Sequence, residues 1–216
     1  LYRLPSTDEI ASYQGFPLQV PFNDQLVAET GNQIELGGRI STDAWEFRLN
    51  GFIQWLEGEI AYDYLENLNM NLADTRRWGI ETDAAWRSDR WEISARYGWL
   101  VAKFQDGEYA GKNVYLVPRN EAGANIAFRP TSATLARLEY LWTGSSYEGN
   151  DFLNEREKLP SYGVFNLMFR WEPVPGFSAY LRLNILLDER YATVKYSGVW
   201  YPAAGRQVML GMRKEF

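Results

Sequence analysis

The sequence predicts an all-β protein, an antiparallel transmembrane β-barrel represented by about nine to ten of its C-terminal strands. Three observations predict it. Apolar and polar residues alternate with period two along most of the chain. The alternating segments are joined by connections that are short and long in turn. Aromatic residues recur at two levels on the apolar faces.

The alternation defines nine segments, roughly 32–41, 44–57, 76–87, 90–104, 121–129, 133–143, 161–172, 176–188 and 206–216. In the second, Trp45, Phe47, Leu49, Gly51, Ile53 and Trp55 share one face, and Glu46, Arg48, Asn50, Phe52 and Gln54 share the other. In the fourth, Trp91, Ile93, Ala95, Tyr97, Trp99 and Val101 oppose Glu92, Ser94, Arg96, Gly98 and Leu100. Four connections are short, at Ser41–Ala44, Arg87–Arg90, Pro130–Ser132 and Glu172–Gly176. Four are long and rich in Gly, Asn, Asp and Tyr, around 58–75, 105–120, 144–160 and 189–205. A soluble sandwich gives no reason for this rhythm, whereas an outer-membrane barrel has short turns at one end and long loops at the other.

Beside the short turns, on the apolar faces, stand Trp45, Trp86, Trp91, Phe128, Trp171 and Phe177; further along come Trp55, Trp78, Trp99, Tyr140 and Trp142. At about 3.3 Å per residue and a tilt near 40°, the spacing between the two levels corresponds to roughly 20–25 Å, the height of an apolar belt. Trp45, Trp55, Trp78, Trp86, Trp91, Trp99, Trp171 and Phe177 are therefore expected to form girdles at the two membrane interfaces, where a ring with an apolar body and a polar tip is at home. The alternative, a soluble sandwich with the apolar face as its core, buries the aromatics but leaves their two levels unexplained.

Composition narrows the function. The chain has 216 residues, no Cys, no His and a formal charge of −6. Without Cys there are no disulfides or zinc–thiolate sites, and without His no Ser–His–Asp triad. No cofactor, metal site or catalytic residue is expected, and the acidic balance argues against a nucleic-acid partner. The longest stretch free of charge, 10–23, has 14 residues and two prolines, too short and too broken for a spanning helix. Aromatic content is 16 %, with 9 Trp and 14 Tyr.

Pairing apolar with apolar across the short turns sets Ile40 opposite Trp45 and Trp86 opposite Trp91, which makes Arg39 the neighbour of Glu46 and Glu81 the neighbour of Arg96, inside the lumen. With the C-terminus periplasmic, counting backwards makes 32–41 a descending strand and Leu1–Pro5 the outer end of an earlier ascending one. Nine strands and a stub do not close, so residues 1–216 are expected to be the C-terminal portion of a barrel whose earlier strands lie elsewhere.

Four segments carry a family resemblance. Tyr2-Arg3-Leu4-Pro5-Ser6-Thr7-Asp8-Glu9-Ile10 resembles the "FRxPs..El" segment of TonB-dependent receptors, and Phe22-Asn23-Asp24-Gln25-Leu26-Val27-Ala28-Glu29-Thr30-Gly31 resembles their "NP.L.pE.g" box, with Asp24 in place of its proline. The second box is followed, as in the family, by a strand, here Asn32-Gln33-Ile34-Glu35-Leu36-Gly37. Asn184-Ile185-Leu186-Leu187-Asp188-Glu189-Arg190-Tyr191 resembles "NLfD.rY", and Gly205-Arg206 leading into a strand that ends at Phe216 resembles the usual C-terminus, apart from Lys214 where an apolar residue is common. The resemblance implies a barrel of about 22 strands around an N-terminal plug, in the outer membrane of a Gram-negative bacterium. It implies uptake of a scarce nutrient, by default a ferric siderophore, energised by the TonB complex through the N-terminal part. Haem is the weaker choice, because the family's haem receptors often place a His between the first two boxes and 6–21 has none. Implied partners are outer-membrane lipid and the barrel-assembly machinery, for which a terminal aromatic such as Phe216 resembles the signal.

Other functions remain in view. A small complete barrel acting as a passive pore or adhesin conflicts with the stub at Leu1, and lumenal acids could serve an outer-membrane enzyme but read more simply as ion pairs. Candidate ligand contacts are the loop residues Tyr109, Tyr115, Arg119 and Tyr147. Aromatic rings offer contact area with few rotors to freeze, and Arg119 suits an anion; the plainer role is decoration of the loops.

Overall fold

A computed structural model describes residues 1–10, 23–63 and 68–215. Its strands, in chain order, are β1 (Tyr2–Arg3), β2 (Glu29–Ser41), β3 (Trp45–Glu57), β4 (Ile60–Asp63), β5 (Leu68–Asn71), β6 (Thr75–Arg87), β7 (Trp91–Phe104), β8 (Asn120–Thr131), β9 (Thr134–Thr143), β10 (Tyr162–Val174), β11 (Phe177–Asn184), β12 (Ala192–Tyr196), β13 (Val199–Pro202) and β14 (Gln207–Lys214). One helical turn, α1 (Thr7–Ile10), follows β1. Ten strands make a single antiparallel sheet in the order β1-β2-β3-β6-β7-β8-β9-β10-β11-β14. Each expected segment is one strand of this sheet, and the stub at the start is β1. Two further hairpins, β4–β5 and β12–β13, stand apart within long loops; sequence alternation did not reveal them.

The two faces differ as the pattern dictates. Across β2, β3, β6 and β7, the residues aligned with Trp45 and Phe47 are Ile34, Leu36, Ile40, Trp78, Ile80, Trp86, Ile93 and Trp99. This face is apolar and open: Leu36, Ile40, Leu210 and Met212 are each more than 70 % exposed. The opposite face carries Glu46, Arg48, Asp83, Arg96 and Glu139 around a cleft of about 310 Å³. There Glu46 accepts ion pairs from Arg48 (2.6 Å), Arg39 (3.1 Å) and Arg87 (3.5 Å), one carboxylate serving three strands.

The expected registers across two turns are corrected. Ile40 faces Phe47, not Trp45, and Arg39 faces Arg48, not Glu46. Trp86 faces Ile93, not Trp91, while Arg96 faces Asp83 and Glu81 faces Gly98. Each pairing is offset by two residues because each turn is centred one residue later than expected. Thr42 N–H donates to the Trp45 carbonyl at 2.8 Å, and Ser88 N–H to that of Trp91 at 2.8 Å. The Thr42 and Ser88 hydroxyls then accept the returning amides of Trp45 and Trp91. An even offset leaves every side chain on its own face, so the sidedness stands. The Arg39–Glu46 ion pair also survives, as a diagonal contact. At the last short turn, Pro175 and Gly176 (φ +80°) connect Val174 to Phe177, the residues a type II turn favours.

Turn-side aromatics meet across strands. The rings of Trp45 and Trp86 lie 6.3 Å apart, those of Trp91 and Phe128 4.2 Å, and those of Trp171 and Phe177 6.4 Å. Phe216 lies outside the described residues.

The family boxes resolve into fasteners. Ser6 and Glu9 cap α1 reciprocally: Ser6 N–H donates to the Glu9 carboxylate at 2.7 Å and Glu9 N–H to the Ser6 hydroxyl at 3.3 Å. Arg3 then forks between Glu9 (2.9 Å) and Glu29 (2.5 Å), tying the first box to the second. Glu29 also accepts the Ile60 amide at 2.8 Å, which seats β4. In the third box, Ile185 and Asp188 adopt positive φ and turn the chain away from the sheet. Asp188 accepts the Arg206 amide at 3.1 Å, closing the base of the last loop.

Candidate ligand cleft and loop cap

Among the described residues, the cluster of buried apolar side chains lies at the long-loop end, not between sheet layers. Leu72, Ala102, Phe104, Val114 and Tyr115 form it, with Tyr109, Tyr147 and Phe152 packed against them. Phe104 is 1 % exposed. It comes from the face of β7 that is polar lower down, where Glu92, Ser94 and Arg96 give way to Leu100, Ala102 and Phe104. The loop after β7 folds back over this apolar end, with Val114 N–H donating to the Ala102 carbonyl at 3.0 Å.

Two polar fasteners join the loops. The Asn154 side chain donates to the Asn113 carbonyl (3.0 Å) and accepts its amide (2.6 Å), which binds the loop after β9 to the loop after β7. Glu148, 3 % exposed at its side chain, takes ion pairs from Arg156 at 3.0 Å and from Lys195 at 3.1 Å. Lys195 lies on β12, so this buried pair docks the β12–β13 hairpin. Gly149 completes the joint: its amide donates to the Lys195 carbonyl at 2.8 Å, and a Cβ there would lie 2.0 Å from the Tyr196 ring. Burial alone would raise the Glu148 carboxyl, but hydrogen bonds from Lys195 and Arg156 outweigh it and hold the group below its ordinary value.

Beside this cap is a cleft of about 280 Å³ whose lining includes Asn113, Arg119, Trp142, Ser145, Tyr147 and Lys158, and no carboxylate. Arg119 donates to Asn113 Oδ1 at 3.3 Å. The Lys158 ammonium sits 4.3 Å from the Tyr147 ring centre, a cation–π contact. The arrangement offers two cations, hydroxyls and two aromatic faces, a combination that suits an anionic ligand with a flat or apolar part.

The four loop residues singled out in the sequence thus divide. Arg119 and Tyr147 line one cleft. Tyr115 is 6 % exposed in the loop core, its phenol pushed up by burial, and Tyr109 stacks on Phe152 at 4.6 Å. Lys158 was missed, since a lysine within a mixed-charge run carries no signal of its cleft. The cap itself left a trace, the apolar upper end of β7 on an otherwise polar face. Among the described residues, no group of His, Cys, Asp or Glu is placed to hold a metal.

A sheet of this size, with one polar and one apolar face and long loops gathered at one end, defines a class: an antiparallel β-barrel. The family model for the TonB dependent receptor-like β-barrel matches residues 1–185, and the chain belongs to that family. Among solved structures, it is similar to the ferric yersiniabactin uptake receptor FyuA from Yersinia pestis, at 23 % identity over 88 % of this chain and 30 % of that one, with a TM-score of 0.74. It is similar to the copper transporter OprC at 18 % identity over 100 % of this chain and 35 % of that one, with a TM-score of 0.77. It is also similar to FpvA of P. aeruginosa, solved with bound pyoverdine–iron, at 18 % identity over 88 % and 28 %, with a TM-score of 0.67. The chain therefore spans about a third of these proteins. No curated protein matches it. The architecture is that of the C-terminal strands of a larger antiparallel barrel, in a family of receptors.

Proposed function

We propose that the chain is the C-terminal part of an outer-membrane receptor that takes up a scarce nutrient, with a ferric siderophore as the ligand, in a Gram-negative bacterium. The observation that carries this reading is the cleft at the loop end. Arg119 and Lys158 face it without a carboxylate among its lining residues, so a negatively charged chelate gains charge-assisted contacts there. The FyuA and FpvA structures bear siderophores in their names, which supports the same ligand class; OprC, a copper transporter, marks a different cargo on the same fold.

The sheet supports the rest of the reading. The open apolar face meets outer-membrane lipid, with Trp45, Trp86, Trp91, Trp171 and Phe177 girdling one interface and Trp55, Trp78 and Trp99 the other. The polar face surrounds a plug contributed by the N-terminal part, which also meets the TonB complex. Phe216 serves the barrel-assembly machinery. A receptor-deficient strain complemented with the full-length receptor should recover growth on one member of a panel of siderophore-bound iron sources, and a variant with Arg119→Ala and Lys158→Ala should lose it. Growth on every source without the receptor's TonB-contacting segment would indicate a passive pore instead.

A further inference from the structure

We propose that Arg76 and Lys103 form a binding site on the barrel exterior for the phosphate groups of outer-leaflet lipid headgroups. This rests on the membrane reading above and goes beyond it. The observation is a pair of cations on the apolar face. Arg76 is the Cα partner of Trp55 on one side and of Lys103 on the other. It shares its face with Trp78, Ile80 and Trp86, the residues that meet lipid.

Two cations opposite each other in neighbouring strands stand about 5 Å apart at Cβ and repel. Among the described residues, neither Arg76 nor Lys103 makes an ion pair within 4.0 Å. Arg76 Nε is buried without an acceptor, while its guanidinium is held 5.1 Å from the centre of the Trp78 ring. The guanidinium therefore lies against the aromatic beneath it, with Nε free of a hydrogen-bond acceptor.

Position along the strand supplies the partner. The pair stands one step beyond Trp78 and two beyond Trp99 toward the long loops, where the apolar belt gives way to headgroups. A phosphate there receives a forked contact from Arg76 and a point charge from Lys103, and removes the repulsion between them. The next outward residues on the same face are acids, Glu57 and Asp74. Asp74 is pushed up by burial and by the charges of Asp106 and Glu57, so these acids crowd one another and confine an anion to the level of the cation pair.

The test uses full-length receptor purified from outer membranes and delipidated in detergent. Retention is read by native mass spectrometry with a bis-phosphorylated glycolipid, with the same lipid stripped of phosphate, and with inorganic phosphate as competitor. The wild type should retain the phosphorylated lipid, and Arg76→Gln with Lys103→Gln should retain about tenfold less. Arg76→Lys keeps the charge but loses the fork, and should retain an amount between those of the wild type and the double variant. Equal retention by the double variant, equal binding of the stripped lipid, or full displacement by inorganic phosphate would overturn the site. If the double variant fails to assemble, Lys103→Gln alone carries the same comparison. A wild type that never fractionates with outer membranes refutes the membrane reading as well; a membrane-inserted receptor with unchanged retention refutes only the lipid site.

Discussion

Glu148 shows how much a single side chain can hold at the loop end. Its carboxylate is buried with two cationic partners from different segments. Breaking such a pair leaves a charge buried alone, a cost of about 3–5 kcal/mol. Glu148→Gln should therefore free the β12–β13 hairpin and the loop after β9 together, seen as faster amide exchange in 144–161 and 192–202 with the sheet unchanged. The pH dependence follows from the depressed carboxyl. A carboxyl held below its ordinary value of 4.5 in the folded state contributes stability that is present above that value. That stability is lost as pH falls through the folded value. Loop exchange in the wild type should accordingly rise below about pH 4.5 and approach that of Glu148→Gln. Loops that exchange identically in both proteins at neutral pH would remove the latch from this account.

Among the strands, three glycines of the polar face let a large side chain lie across the neighbouring strand. Gly79 faces Phe52, Gly123 faces Arg96 and Gly211 faces Tyr180. Gly79 is the most constrained, because a Cβ there would fall 2.4 Å from the Trp99 carbonyl oxygen and 2.9 Å from the Phe52 ring. The backbone atom cannot step aside as a side chain can. Gly79→Ala is expected to cost about 1–3 kcal/mol, read as a lower temperature for loss of heat-modifiable gel mobility. An unchanged temperature would mean that β6 and β7 separate more easily than this register allows.

Strand faces were legible in the sequence because period two survives wherever the two sides of a sheet meet different media. Registers were less so. Pairing Ile40 with Trp45 centred the turn between Thr42 and Asp43, whereas the Thr42 and Ser88 hydroxyls hold turns centred one residue later, at Asp43-Ala44 and Asp89-Arg90. The sequence held that information in Thr-Asp-Ala-Trp and Ser-Asp-Arg-Trp, where a hydroxyl residue stands three before the returning strand. The loop hairpins escaped because strands of four or five residues, buried against other loops, show no alternation. Of the cleft, Arg119 and Tyr147 were visible as residue types, but their meeting with Lys158 depends on how two long loops fold against each other.

For the molecule as a whole, the described sheet leaves β14 at one edge and the two-residue β1 at the other. Exposed edges of this kind seek partners, which earlier strands of the proposed full-length receptor would supply. The central claim is that the apolar face meets lipid and the polar face water. The chain contains no Cys, so single cysteines at successive positions of β3, from Trp45 to Glu57, can carry spin labels in the assembled receptor without a competing thiol from this region. Accessibility to oxygen, which concentrates in lipid, should peak at Phe47, Leu49, Gly51 and Ile53. Accessibility to a water-soluble nickel chelate should peak at Arg48, Asn50 and Gln54. Oxygen access with no period of two, or chelate access highest at the odd positions, would contradict the account.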